Sequence, residues 1–277
     1  MNIALSTLII FILILPGIIY RRFYFTEEFS KQYFKQSIYG VFTSSLIPAI
    51  ILHALWYFLA SALTAYQVDL EVLGRLFSTH ENIGKAFRNI QDFDLQIILY
   101  QVSILFFAAV LGFSSKYIVR KFKWDRRSKL FRFQNGWHYL FTGEFFDFPK
   151  ASFDLEVDKV DQIELVYVDI LVDAKEGSIL YEGILVDYEL SKDGGLGYVI
   201  LKETIRRFLI PEGAYLVDEK DLLQENYANT ELLNPNKFYN PIKGHIVVIP
   251  NKDIKNINFS YYKIEETDGA YDVGIVE

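Results

Sequence analysis

The residues with the chemistry to form a site are few and scattered. The four histidines, His53, His80, His138 and His245, have no partner at i,i+4 and no HExxH context, the spacing that puts two zinc ligands on one helix face. The chain has no cysteine, which excludes disulfides, thiol nucleophiles and cysteine-bound metals. Asp193-Gly194-Gly195-Leu196-Gly197 is rich in glycine, but it follows a charged turn and leads into a strand, whereas a phosphate cradle opens a helix. The acids Asp154, Glu156, Asp158 and Asp161 have no histidine or second carboxylate group beside them and read as a solvated strand edge or loop. With no nucleophile–base pair and no metal constellation, the sequence implies neither an enzyme nor a cofactor. One aromatic cluster, Trp137, His138 and Tyr139, lies in the run FRFQNGWHYLFTGE from Phe131 to Glu144. Asn-Gly is a hairpin dipeptide, so two short aromatic arms are expected to pair there. They either seat the β-rich half at the membrane interface, where Trp and Tyr concentrate, or line a ligand pocket coupled to the preceding helix.

The elements that must position these groups divide the chain in two. A hydrophobic content of 51% beside 23% charged residues points to two unlike halves. Residues 3–20 carry no charge and nearly match the roughly 20 apolar residues a spanning helix needs. Arg21 and Arg22 follow this segment rather than precede it, which favours a signal anchor over a cleaved signal peptide. Residues 41–66 form a second candidate span, with Pro48 at a possible kink and His53 one turn beyond. His53 there either pairs with a neighbouring helix or handles protons. Residues 97–118 form the third, with Gln101 and the small residues Ser103, Ala108, Ala109, Gly112 and Ser114, which permit close helix packing and assembly of a homo-oligomer.

A basic collar follows the third span: Arg120, Lys121, Lys123, Arg126, Arg127 and Lys129, a run suited to anionic lipid headgroups. Loops rich in Lys and Arg stay cytoplasmic, so the first loop and the collar belong inside, and the acid-rich loop Gln67 to Gln96 outside. The expected protein is a multi-pass inner-membrane protein with an external N-terminus. Its transmembrane region covers residues 1–129 and its cytoplasmic β-rich domain residues 130–277.

That second half carries 14 Lys plus Arg against 27 Asp plus Glu, which disfavours general nucleic-acid binding. Its pattern is strand-like over Gln162–Ala174, Ile179–Leu190 with Gly183 at a bulge or bend, Leu196–Glu203, Ile246–Pro250 and Ile254–Ile264. Short bent strands with tight turns suit a small β-barrel. Pro211 to Gly244 reads as a long insertion loop with one short helix around Asp218 to Gln224.

The Pro-Gly near the end of the first span, the block LYEGILVDYELSKDGGLGYVIL and the terminal VVIPNKDIKNINFSYYKI resemble uncharacterised bacterial membrane proteins grouped as domain-of-unknown-function family 6338. The barrel segment resembles an Sm- or SH3-like small β-barrel with a glycine-bent second strand. Spans joined to a small β-domain also resemble, in architecture, the membrane effectors of bacterial antiphage systems, which sense a signal and breach the membrane. The resemblance implies an oligomeric effector whose cytoplasmic domain senses a ligand or partner protein. The other reading is a non-conducting anchor that recruits a cytoplasmic partner.

Overall fold

The structure is a computed structural model that describes residues 3–34, 36–64, 94–151, 160–174, 177–209, 240–267 and 270–276. His80, most of the loop from Gln67 to Gln96, Asp154, Glu156, Asp158 and the expected helix around Asp218 to Gln224 lie outside the described residues. The chain divides into two compact units, Met1–Gln134 and Asn135–Glu277.

The first unit is built on three helices long and apolar enough to cross a membrane: α1 (Ile3–Tyr24), α3 (Ile38–Leu63) and α4 (Asp94–Lys121), with the short α2 (Ser30–Phe34) between the first two and α5 (Trp124–Arg127) after the last. Each outruns its uncharged stretch at one or both ends, because backbone hydrogen bonding does not stop where the apolar side chains do. Each long helix also buries one narrow stripe: Ile14, Gly17 and Arg21 on α1, Ser45, Ala49 and Leu52 on α3, and Ile104, Ala108, Gly112, Lys116 and Val119 on α4. The helical spacing of these positions puts each set on one face. The faces opposite are apolar and exposed, with Ile47, Phe58, Phe106 and Phe113 among them, as expected of helices that meet lipid rather than water. α1 is gripped through its neighbours' small residues. A Cβ on Gly17 would lie 2.1 Å from Ser45 O and 2.8 Å from Ala49 N, and one on Gly112 would lie 2.4 Å from Tyr20 O.

The segments beyond the spans pack on one another. Phe29 is fully buried and stacks on Phe133 at 4.0 Å between ring centres, with the Lys116 and Arg120 cations each 5.5 Å from its ring. Gln134 N–H donates to Gln32 Oε1 at 2.8 Å. These contacts place Phe131 to Gln134 with the helices.

The second unit is an antiparallel sheet of β1 (Leu165–Ala174), β2 (Gly177–Leu190), β3 (Leu196–Phe208), β4 (Asn240–Pro241), β5 (Val247–Pro250), β6 (Ile254–Thr267) and β7 (Ala270–Ile275). The ladder runs β4-β3-β2-β1-β6-β7, and β5 also pairs with β3. β5 and β6 lie on opposite sides of the β3-β2-β1 centre, yet only the 3-10 turn Asn251–Asp253 joins them. Four chain steps reach at most about 14 Å. The ends of a flat five-stranded sheet lie about 19 Å apart. The sheet must therefore curl. No ladder joins β5 to β6 among the described residues, so the expected barrel is corrected to a curled, open sheet.

Gly183 does mark the bend. The pairing shifts from Glu182↔Ile205 to Ile184↔Lys202, so the extra residue sits on β3, where Glu203 takes φ +51°, and the bare Gly183 lets Lys202 O and Thr204 Oγ1 come within 3.0 Å of its Cβ position. β3 runs on to Phe208 because its far half pairs with both β2 and β4, and β4 belongs to the end of the expected insertion loop. Alternation along β1 and β3 turns Val168, Ile170, Val199 and Leu201 inward, where they meet Leu196, Ile249 and Phe141.

Candidate functional site: a polar seam among the apolar helices

α1 carries Pro16, which has no N–H for the carbonyl four residues back, so Ile12 O loses its ladder partner. Both neighbouring helices direct a polar side chain to this turn. Gln101 on α4 donates from Nε2 to Ile12 O at 3.4 Å, and His53 on α3 places Nε2 3.0 Å from Leu13 O. The second contact makes Nε2 the protonated nitrogen of a neutral ring, so Nδ1 accepts from Tyr100 OH at 3.0 Å. A step further along, Trp56 Nε1 donates to Ser103 Oγ at 3.1 Å, and Ser103 Oγ donates to Tyr100 O at 2.9 Å. The result is a connected line of polar groups across α3, α1 and α4 inside the apolar zone, centred on the interrupted turn of α1. Polar contacts of this kind between membrane helices contribute about 1 kcal/mol each.

The structure thus brings His53 and Gln101 together on α1. Pro48 lies in the interior of α3, which continues helically on both sides of it. That Pro16 removes a hydrogen bond and loosens the end of the first span is readable from the sequence; that Gln101 and His53 answer that turn, and Tyr100 the histidine, depends on helix packing.

At the end of α4 a second polar group forms. Lys116, buried on the α4 stripe, donates to Glu27 Oε2 at 2.6 Å, to Thr26 O at 3.2 Å and to Thr26 Oγ1 at 3.3 Å. Its hydrogen bond and charge hold the Glu27 carboxyl below its ordinary value. The collar is not uniform. Arg120 pairs with the fully buried Asp125 at 2.8 Å, Arg126 is buried, and Arg132 Nη2 donates to Arg126 O at 3.0 Å. Lys121, Arg127 and Lys129 are exposed, and Lys123 is half-buried in a left-handed conformation at φ +55°.

In the second unit the expected Asn135–Gly136 hairpin is corrected to a helix start. The Asn135 side chain accepts from His138 N–H at 3.1 Å and caps α6 (Gly136–Phe141), while its Nδ2 donates to Tyr188 OH at 3.0 Å. Asparagine's side chain satisfies a helix N–H as readily as its backbone makes a tight turn, and here the cap is formed. Trp137 and Phe141 from α6 pack against the curled sheet. Tyr139 is buried, with an edge-to-face contact to Phe148 at 5.2 Å. His138 Nε2 lies 3.7 Å from Glu144 Oε2. None of the three is among the residues that line the open pocket of about 380 Å³ between Leu140, Phe145, Phe146, Phe259, Tyr261 and Val276. Tyr261 OH donates to Leu140 O at 2.6 Å, and burial pushes its ionisation well above the usual range.

No known protein family, curated protein or solved structure matches this chain.

Proposed function

We propose that the chain is a bacterial membrane effector: the three helices lie in the inner membrane, copies of the chain assemble there as a homo-oligomer, and the acidic β unit on the cytoplasmic side receives the ligand or partner protein that triggers a breach of the bilayer. The observation that carries this reading is the polar seam. A plain anchor needs no polar side chains at membrane depth, and such residues are costly enough that a functional role is the default reading. Here they converge on one interrupted turn of the middle helix, where the α1 carbonyls of Ile12 and Leu13 take side-chain donors from both neighbours. A helix held there by exchangeable bonds can shift in register or angle at small cost when copies assemble. Orientation rests on the positive-inside rule applied to Arg21, Arg22 and the collar.

A specific observation also favours the non-conducting anchor. The seam residues His53, Tyr100, Gln101, Trp56 and Ser103 all find partners within one chain. The experiment that separates the two readings measures membrane potential with a voltage-sensitive dye while cells induce the full chain, residues 1–134 alone, or the full chain with His53→Phe. Depolarisation by the full chain or by the helical unit, reduced by His53→Phe, supports the effector. Confirmed insertion with no depolarisation from either wild-type form sinks it and leaves the anchor.

A further inference from the structure

We infer that the free edge of β6 ahead of β7 takes up an extended segment of a partner protein as an added strand, with an apolar side chain of that segment in the aromatic pocket beside the edge. The pairing of β6 defines this edge. Residues Asn256 to Tyr262 run in unbroken register along β1, from Leu171↔Asn256 to Leu165↔Tyr262, whereas β7 meets β6 only from Tyr262 onward. At that junction Val276 N–H donates to Tyr261 O at 2.9 Å, and Glu164 N–H donates to Tyr262 O at 3.0 Å. The backbone groups of Tyr261 therefore face the β7 side and those of Tyr262 face β1. Strand backbone groups alternate between the two sides. Ile257 and Phe259 thus turn their N–H and C=O groups to the side that β7 occupies further along, and among the described residues no group takes them. Their spacing, about 6.6 Å, is that of every second residue in an extended chain.

The pocket of about 380 Å³ lies at this edge. It touches Asn258, Phe259, Ser260 and Tyr261 in succession, together with Val276. Successive strand side chains point to opposite faces of a sheet, so a space that meets four in a row opens on the strand's edge. Its wall is Phe145 and Phe146 from the 3-10 turn Glu144–Asp147, with ring centres 4.0 Å apart and Phe146 edge-on to Tyr261 at 5.2 Å. An apolar wall beside unpaired main-chain groups is the combination that strand addition uses: main-chain bonds give affinity and the pocket gives side-chain preference. The occupant is a peptide strand rather than a small molecule, because the unmet groups repeat at strand spacing and continue a ladder that β7 already forms on the same edge. The acid excess of this unit favours lysine or arginine between the apolar positions of that strand. Strand capture rests on the reading of the β unit as the receiver of a partner protein, but it is measured as peptide binding, so its failure is distinct from a failure to breach the membrane.

The test uses the full chain purified in a neutral detergent. Short random peptides displayed on phage are selected on it, and the enriched sequence is synthesised free, unmodified or with N-methyl groups on every second backbone amide in either of the two phases. The expected peptides alternate apolar and basic residues. One N-methyl phase should weaken binding by about tenfold or more and the other should leave it unchanged, because only alternate amides of an added strand face β6. Hydrogen exchange in the wild-type chain should slow at Ile257 and Phe259 on binding and stay unchanged at Val247 to Ile249 on β5. Phe146→Ala should weaken binding, whereas Val248→Lys, at a position 53% exposed on β5, should not; if Phe146→Ala does not fold, the wild-type measurements decide. No enriched peptide, equal binding by the parent and both methylated forms, or protection at Val248 overturns the strand site. Protection of Ile257 and Phe259 that needs no peptide and grows with protein concentration assigns the edge to a second copy and overturns the peptide occupant.

Discussion

Adding a single methyl group at Gly17 gives an effect whose sign is fixed by packing. In an exposed helix, glycine to alanine stabilises by about 0.8–1 kcal/mol, because alanine has less backbone freedom to lose. At Gly17 the new Cβ would meet Ser45 O at 2.1 Å and Ala49 N at 2.8 Å, against an ordinary contact near 3.4 Å. Both opposing atoms are backbone, so no side chain can turn away. α1 and α3 must part by about 1 Å, which stretches the His53 contact to Leu13 O and opens the stripe around Ala49. Overpacking of this kind costs about 1–3 kcal/mol, and the rigid partners put Gly17→Ala towards the upper part of that range. Gly40→Ala is the internal control, because its Cβ meets only the Ser37 hydroxyl at 3.3 Å and the Gln36 Cβ at 3.7 Å. Unfolding of the full chain by graded SDS in mixed micelles, followed by tryptophan fluorescence, reads both. Gly17→Ala should be the less stable by about 2 kcal/mol or more. Equal stability, or a gain at Gly17, refutes the close α1–α3 crossing.

Three further outcomes follow from the same geometry. His53→Phe and Gln101→Leu each remove a donor to the Pro16 turn and should each lower stability in micelles by about 1 kcal/mol, near the range measured for polar contacts between membrane helices; the double variant should fall short of the sum if the bonds act together. Because the Glu27 carboxyl titrates lower when folded than unfolded, its contribution is present above its ordinary value of 4.5 and is lost as pH falls below it. Glu27→Gln should flatten that acid limb of an SDS-stability profile, modestly, since the carboxyl is 72% exposed. Gly143→Ala should destabilise the β unit in the full chain by about 1–2 kcal/mol for the left-handed backbone alone, because φ is +73° and the new Cβ would lie 2.3 Å from Ile163 Cδ1; a lowered thermal midpoint of the β signal in circular dichroism checks it.

The spans were legible because lipid imposes a one-dimensional rule: an uncharged run of sufficient length is a helix, and all three expected runs overlap observed ones. β1, β2, β3, β5 and β6 were legible for a similar reason, since alternation such as Val166, Val168, Ile170 is set by the pleat. What depended on distant residues was not. Barrel closure turns on the relation between β5 and β6, which local pattern leaves open. Asn135-Gly136 satisfies both a hairpin rule and a capping rule, and Tyr188 across the fold is one of the partners of the capped form. Trp137 and Tyr139 read by type either as interface anchors or as pocket lining, and type alone does not show that aromatic side chains with a polar handle also serve as core, as Trp137 packed on the sheet and the buried Tyr139 do. The collar read as one basic surface, whereas Asp125, a single acid within it, draws Arg120 inward.

The proposed function requires three membrane crossings with the β unit on the side opposite the N-terminus, and the absence of cysteine makes that directly measurable. Single cysteines would be placed at Asn2 and at Asp193, in the turn between β2 and β3, in the full chain, and intact cells treated with a membrane-impermeant maleimide before and after permeabilisation of the inner membrane. Labelling of Asn2→Cys in intact cells, with Asp193→Cys labelled only after permeabilisation, is the predicted result; labelling of both positions from the same side would contradict it.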